Sequence, residues 1–134
     1  MSDFLTTMKA LATQEAKNLR QHATPEELGK LDLDHLDDNS PTRCIYGLMT
    51  GHCNSIRAQE LILKCCTQVY KTEGLDDNLD APLNGRPYKV PENKSRHNQY
   101  YSPIEILIAP KYGGEEAQKK LVEFLKGDSD ILEL

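Results

Sequence analysis

The sequence predicts an all-α or mostly α fold: a single small helical domain spanning residues 1–134, with five or six helices and one long irregular loop. Three observations indicate this fold. Apolar residues recur every three or four positions over several stretches, which is the spacing of one helix face. Ser or Thr followed by Pro begins three segments, as expected at a helix N-terminus. The length of 134 residues suits one domain.

The first part of the chain contains two predicted helices. An apolar stripe predicts a helix over about residues 3–22, with polar residues on its other face. The motif Thr24-Pro25-Glu26-Glu27 predicts a second start, because Thr24 can cap free N–H groups and Glu27 can complete a capping box. Gly29 keeps that helix short. The Asp-rich stretch from 31 to 38 is predicted to be a loop.

Two further helices are predicted in the middle of the chain. Ser40-Pro41 predicts one start by the same capping chemistry, and Gly51 is placed to end that helix in the left-handed conformation. Asn54 or Ser55 is predicted to cap a helix over about residues 55–73, whose apolar stripe is the strongest in the chain.

The remaining residues predict one loop and two helices. Residues 74–101 show no period and contain several Gly and Pro residues, which predicts the long irregular loop. Ser102-Pro103-Ile104-Glu105 predicts a short helix that ends before Pro110, with a strand as the alternative because of its β-branched residues. A final helix is predicted between Gly113-Gly114 and Gly127, followed by a tail that forms a short strand or frays.

Charge and hydropathy narrow the class of protein. The net charge is −5, from 21 acidic and 16 basic residues, which argues against a protein that coats DNA. No segment approaches the roughly 20 apolar residues of a membrane span, so no membrane association is expected. The N-terminal residues lack the basic and then apolar pattern of a signal peptide, which predicts a cytoplasmic location.

Two stretches resemble a known group of proteins. Residues 43–58, RCIYGLMTGHCNSIRA, and residues 101–105, YSPIE, are similar to small uncharacterised proteins of gut bacteria and their phages. The two stretches that carry the resemblance comprise 21 of the 134 residues. It implies a small accessory protein without an assigned activity.

Four cysteines are the first candidates for chemistry. Zinc sites usually combine two close ligand pairs such as Cys-x₂-Cys, and the cysteines at 44, 53, 65 and 66 do not form such pairs. We therefore expect Cys44, Cys65 and Cys66 to be small buried apolar residues, with a zinc site as the alternative. The acidic run 76–80 lacks the Gly and Glu that a calcium loop requires. The sequence predicts no metal and no cofactor.

Cys53 is the candidate nucleophile. It precedes a predicted helix N-terminus, where the peptide dipoles would lower its pKa, and it lies between helices, where a thiol reagent should reach it first. His52 or His97 would serve as the base. This interpretation predicts a small Cys-dependent or nucleotide-handling enzyme.

The segment 86–101 is the candidate binding segment. It has four basic residues against one acidic residue, interleaved with three tyrosines. Such a pattern suits a protein interface, where Tyr and Arg are favoured anchors, and it also suits phosphate contact with base stacking. The structural alternative is a loop whose tyrosines hold it to the core. The predicted binding residues are Arg86, Tyr88, Lys89, Lys94, Arg96, His97, Tyr100 and Tyr101.

These patterns favour a small non-enzymatic intracellular binding or accessory protein that acts through protein–protein contacts. A protein partner is expected, nucleic acid or a nucleotide is the alternative partner, and a homo-oligomer stays open. The alternative functions are the small Cys-dependent or nucleotide-handling enzyme and a phosphate or nucleic-acid binding module that uses residues 86–101.

The missing ligand pairs generate the first testable prediction. We expect elemental analysis of the purified protein to find no stoichiometric zinc, because the cysteines lack the spacing of a tetrahedral site. One zinc ion per chain, lost together with the fold when a chelator is added, would contradict this prediction.

Overall fold

The computed structural model describes residues 2–37, 40, 42–66, 69–71, 87–88, 100–109 and 112–133. These residues are mostly helical and contain six helices and three short strands. The mostly α fold class with six helices is therefore confirmed. The helices are α1 (Ser2–His22), α2 (Pro25–Gly29), α3 (Ile45–Thr50), α4 (Ile56–Cys65), α5 (Pro103–Leu107) and α6 (Gly114–Leu125). The strands are β1 (Val69–Lys71), β2 (Pro87–Tyr88) and β3 (Tyr100–Tyr101).

Helix α1 is the central element of the core. It follows the predicted stripe, and it buries Met8, Ala12, Ala16 and Leu19 completely. It packs against α4, α5 and α6. The chain has no Trp and only two Phe, and aliphatic side chains from these helices fill most of the hydrophobic core formed by the described residues. No helix in the described ranges is both long enough and apolar enough to cross a bilayer.

The short helices α2 and α5 begin with the capping boxes that the sequence predicts. In α2 the Glu27 N–H donates to Thr24 Oγ1 at 3.1 Å, and the Thr24 N–H donates to Glu27 Oε1 at 2.9 Å. In α5 the same exchange joins Ser102 and Glu105, at 3.0 and 3.4 Å. Each box satisfies N–H groups that a helix start leaves free, and this favours helix over strand after Ser102.

Helix α3 begins later than predicted. Ser40 was expected to cap it, but its carbonyl accepts the N–H groups of Arg43 and Cys44 in a turn, at 3.3 and 3.0 Å. Cys44 is the N-cap instead, and its Sγ accepts the Gly47 N–H at 3.4 Å. The prediction for the end of the helix is confirmed, because Gly51 has φ 98°, a conformation that glycine adopts without a Cβ penalty.

Helix α4 begins as predicted and ends earlier. Ser55 is its N-cap and accepts the Ala58 N–H at 3.1 Å. The predicted helix to residue 73 is wrong beyond Cys65, because Cys66 is extended, with φ −123° and ψ 141°. The next described residues, Val69 and Tyr70, are buried in β1. Their β-branched and aromatic side chains suit a strand with a partner on each side.

The three strands form one small sheet in the order β2–β1–β3. Both outer strands are antiparallel to β1, with Val69 opposite Tyr88 and Tyr70 opposite Tyr101. The predicted irregular loop, residues 74–101, lies outside the described residues except for β2 and β3. Those two strands place both ends of the candidate binding segment beside β1.

The turn between α5 and α6 depends on Gly113. Its N–H donates to the carbonyl oxygen of Leu107 at 2.9 Å. A Cβ at this position would lie 2.8 Å from the same oxygen, so glycine allows the end of α5 to approach the start of α6. Residues 31–37 form turns, as predicted, and the described tail, 128–133, is irregular.

An ion pair joins α2 to α4 across 30 residues of sequence. Arg57 donates from Nε and Nη2 to the two carboxylate oxygens of Glu27, both at 2.8 Å, and from Nη1 to Glu60 at 2.6 Å. These hydrogen bonds from Arg57 lower the pKa of Glu27 to about 2. The pair therefore stabilises the folded state when Glu27 is ionised.

This geometry generates the second prediction. Arg57→Ala should lower the free energy of unfolding by about 1–3 kcal/mol at neutral pH, because the largely buried Glu27 carboxylate loses two charged donors. Since the folded-state pKa of Glu27 is depressed, the difference between wild type and variant should shrink as the pH falls from 4.5 towards 2.

Urea denaturation at several pH values measures this difference. Lys64→Ala is the matched control, because it removes an exposed positive charge from the same helix. Equal effects of the two substitutions would show that the ion pair contributes nothing specific.

Candidate functional site

A buried carboxyl group lies where three helices meet. Glu15 projects from the apolar face of α1 and is only 1% exposed. The hydroxyl of Tyr46, on α3, donates to Glu15 Oε2 at 2.6 Å. The Ile104 N–H, in the first turn of α5, donates to Glu15 Oε1 at 3.0 Å. One side chain of α1 therefore holds a side chain of α3 and the backbone of α5.

Burial changes the acidity of Glu15. The loss of solvent, with a smaller contribution from the nearby Glu105, raises its pKa from 4.5 to about 7, although hydrogen bonds from Tyr46, Ile104 and Ser102 lower it. A displacement of this size corresponds to about 3 kcal/mol against the ionised form in the folded state. Glu15 therefore exchanges a proton close to neutral pH.

Two adjacent thiols, those of Cys65 and Cys66, lie near Glu15 and Tyr46. The Tyr46 hydroxyl lies 3.8 Å from Cys66 Sγ, and Cys65 ends α4 directly before it. Burial, followed by the charge of Glu15, raises the pKa of Cys65 to about 12 and that of Cys66 well above its usual range. Both thiols are therefore protonated at neutral pH.

A cavity of about 60 Å³ adjoins these groups. Its lining includes Glu15, both thiols and the polar side chains of Gln14 and Asn18. This volume admits a few water-sized molecules and no larger substrate. The described residues contain no group of three His, Cys, Asp or Glu side chains that could hold a metal ion. The chemistry that this arrangement supports is reversible protonation of Glu15.

The candidate nucleophile is placed differently from the prediction. Cys53 is 1% exposed and shares a hydrogen bond with Cys44. This hydrogen bond is the main cause, and burial the second, of a pKa of Cys44 far above its usual range. His52 is exposed, and its Nδ1 accepts the Asn54 N–H at 3.0 Å. The prediction that Cys53 is the accessible cysteine is wrong, because the turn between α3 and α4 folds its side chain into the core. His97 lies outside the described residues.

The predicted binding residues are described only in part. Tyr88 lies in β2 and Tyr100 in β3. Tyr101 is among the largest fully buried side chains, so for this residue the structure favours the alternative of a core anchor. The remaining predicted residues, Arg86, Lys89, Lys94, Arg96 and His97, lie outside the described residues.

Sequence reasoning missed Glu15, although a signal was present. Glu15 falls between Ala12, Ala16 and Leu19 on the apolar stripe of the first helix. A carboxylate at such a position must find donors or remain protonated. An acidic residue within a helical apolar stripe was therefore the indication of a buried proton site.

Comparison of the chain with protein families, with curated proteins and with solved structures gives no match.

The buried thiols generate the third prediction. In the folded protein all four cysteines should react slowly with an aromatic disulfide reagent, because none is more than 8% exposed. Unfolding in concentrated guanidinium should raise the rates by roughly tenfold or more, since it restores both access and ordinary acidity. Alkylation followed by peptide mass spectrometry assigns each rate. Reaction of Cys53 in the folded protein at its unfolded rate would contradict the burial described above.

Proposed function

We propose that this protein is a small non-enzymatic intracellular accessory protein that binds another protein through segment 86–101 and the adjoining helix surfaces. The observation that carries the proposal is the anchoring of this segment. Its first part enters β2 and its last part enters β3, and both strands pair with the same central strand, β1.

The strands that hold segment 86–101 are themselves connected to the hydrophobic core. Val69 and Tyr70 of β1 and Tyr101 of β3 are all buried. Ser102 and Glu105 then cap α5, which packs on α1. Binding residues commonly lie on connecting segments that a rigid scaffold positions. A segment held at both ends by one sheet matches that arrangement.

The composition of the segment supports a protein partner. Tyr and Arg side chains bury large areas and make directed hydrogen bonds, and they are enriched among residues that dominate interface energies.

The surface of α4, which leads into β1, adds exposed apolar area. Ile56 is 86% exposed and Leu63 is 45% exposed, one above the other at a spacing of seven residues. These side chains give α4 an exposed apolar face.

The state of the thiols weighs against the Cys-dependent enzyme. A nucleophilic cysteine requires an accessible thiolate. Burial keeps Cys65 and Cys66 protonated, and Cys44 is held in its hydrogen bond with the buried Cys53.

The fourth prediction tests the segment. Replacing Arg86, Lys89, Lys94 and Arg96 together by Ala should abolish capture of the partner, because it removes the four Lys and Arg side chains of segment 86–101. Each change at a surface should alter stability by about 0.5 kcal/mol or less, so the fold should survive. The measurement is affinity capture of the tagged protein from its host, with mass spectrometry and a nucleic-acid assay on the eluate.

The matched control replaces Lys9, Lys17, Lys119 and Lys120, which are exposed on α1 and α6, and changes the net charge equally. Capture should persist in this control and should depend only modestly on salt. Binding of oligonucleotides with an affinity that falls steeply as salt rises would favour the nucleic-acid alternative. Unfolding of the segment variant would show that its basic side chains are structural.

A further inference from the structure

Two cysteines meet in the core at the two ends of helix α3. Cys44 and Cys53 are both buried, and their side chains share a hydrogen bond. Eight residues separate them in the sequence, and these include all of α3. The fold therefore brings two thiols into contact that an unfolded chain would keep apart most of the time.

Hydrogen bonds fix Cys44 at the start of α3. Its Sγ accepts the Gly47 N–H at 3.4 Å, which makes it the N-cap of the helix. Its carbonyl oxygen accepts the Leu48 N–H at 2.8 Å, and its own N–H donates to the Ser40 carbonyl oxygen at 3.0 Å. Both the backbone and the sulfur of this residue are therefore held in place.

The residues on both sides of Cys53 are fixed as well. The carbonyl oxygen of His52 accepts the Ser55 N–H and the Thr50 hydroxyl, both at 3.0 Å. The Asn54 N–H donates to Nδ1 of His52 at 3.0 Å. Because the turn is already ordered, little conformational freedom remains to be lost when the two sulfurs are joined.

The other two cysteines are less suited to forming a bond with each other. Cys65 and Cys66 are consecutive, and consecutive Cα atoms lie about 3.8 Å apart, whereas a disulfide usually joins Cα atoms about 4.4–6.8 Å apart. The sulfur of Cys66 instead lies 3.8 Å from the Tyr46 hydroxyl. A disulfide across the ends of α3 meets no such restriction from adjacency.

We propose that Cys44 and Cys53 form a site of covalent modification, at which a low-molecular-weight disulfide such as oxidised glutathione joins them in a disulfide that ties the start of α3 to the turn before α4. One protein thiolate attacks the small disulfide, which forms a mixed disulfide and releases one small thiol. The second cysteine attacks the protein sulfur of the mixed disulfide and releases the other small thiol. The protein loses two protons and two electrons, and the small disulfide gains them. This modification is independent of the proposed binding function.

The reaction should be slow in the folded protein but favourable at equilibrium. It is slow because both thiols are buried and only the thiolate attacks. It is favourable because the folded chain keeps the thiols together, so folding favours the disulfide by the same factor by which the disulfide stabilises the fold. For a closed loop of about ten residues, chain entropy makes this factor roughly 100.

The experiment measures the thiol–disulfide equilibrium of the whole wild-type protein in mixtures of oxidised and reduced glutathione. One series is in native buffer and one in concentrated guanidinium, and each is approached from reduced and from oxidised protein. Acid quenching, alkylation and tryptic digestion follow. Trypsin separates the two pairs, because peptide 44–57 contains Cys44 and Cys53, whereas peptide 65–71 contains the adjacent pair.

We expect peptide 44–57 to be half oxidised, lacking two hydrogens and both alkyl groups, at a ratio of oxidised to reduced glutathione roughly 100-fold lower in native buffer than in guanidinium. The oxidised protein should keep its helical circular dichroism. Its equilibrium constant for unfolding in urea should be lower than that of the reduced protein by the same factor.

Two variants identify the pair. Cys53→Ser keeps nearly the same size and cannot form the bond, so its unfolding should not respond to the glutathione ratio. Cys65→Ser, which changes the adjacent pair, should keep the wild-type response.

Three results would overturn the proposal: oxidation of peptide 44–57 at the same ratio in both series, oxidation in the native series that involves peptide 65–71 instead, or loss of the helical signal when peptide 44–57 is oxidised. Should Cys53→Ser fail to fold, the comparison of the native and denatured wild-type protein still decides.

Discussion

The hydrogen bonding of one carboxyl group in the helical core determines how the central elements fit together. A carboxyl group away from water must be neutral or surrounded by donors. Glu15 receives donors from two different helices, the Tyr46 hydroxyl and the Ile104 amide. Satisfying this group therefore restricts where α3 and α5 can lie on α1. An aliphatic residue at position 15 would leave the amide and the hydroxyl without this acceptor.

Local capping chemistry explains why the shortest helices form at all. Helices α2 and α5 have five residues each, and α3 has six, lengths at which an isolated helix is unstable in water. Each begins with a side chain that accepts a backbone N–H. The caps define where each helix starts. Burial in the core adds stability to α3 and α5. Helix α2 has no buried residue, and its contact with the rest of the fold includes the hydrogen bonds between Glu27 and Arg57.

Features that depend on neighbouring residues could be predicted from the sequence, and features that depend on contacts between distant parts of the chain could not. The α1 stripe and the starts at Thr24, Ser55 and Ser102 depend on neighbouring residues, and the structure confirms them. The end of α4 at Cys65 depends on strands far along the chain that pair with β1, which local periodicity does not contain. The burial of Cys53 depends likewise on how a turn packs. The pairing of β2 and β3 with β1, which anchors segment 86–101, could not be predicted without the fold. The burial of Glu15 could be predicted, because an acidic residue stands within an apolar stripe.

The contacts of Arg57 have a consequence for which sequences this fold tolerates. One guanidinium reaches both oxygens of Glu27, one oxygen of Glu60 and the backbone carbonyl of His22, so it touches α2, α4 and the end of α1. A lysine ammonium carries the same charge, but it is a point donor without the planar fork that meets a carboxylate side by side. Exchange between Lys and Arg, which is nearly neutral at a solvated position such as Lys119, is therefore a structural change at position 57. At position 57 the fold requires the planar guanidinium of arginine, whereas at a solvated position such as Lys119 the positive charge matters more than the shape of the side chain.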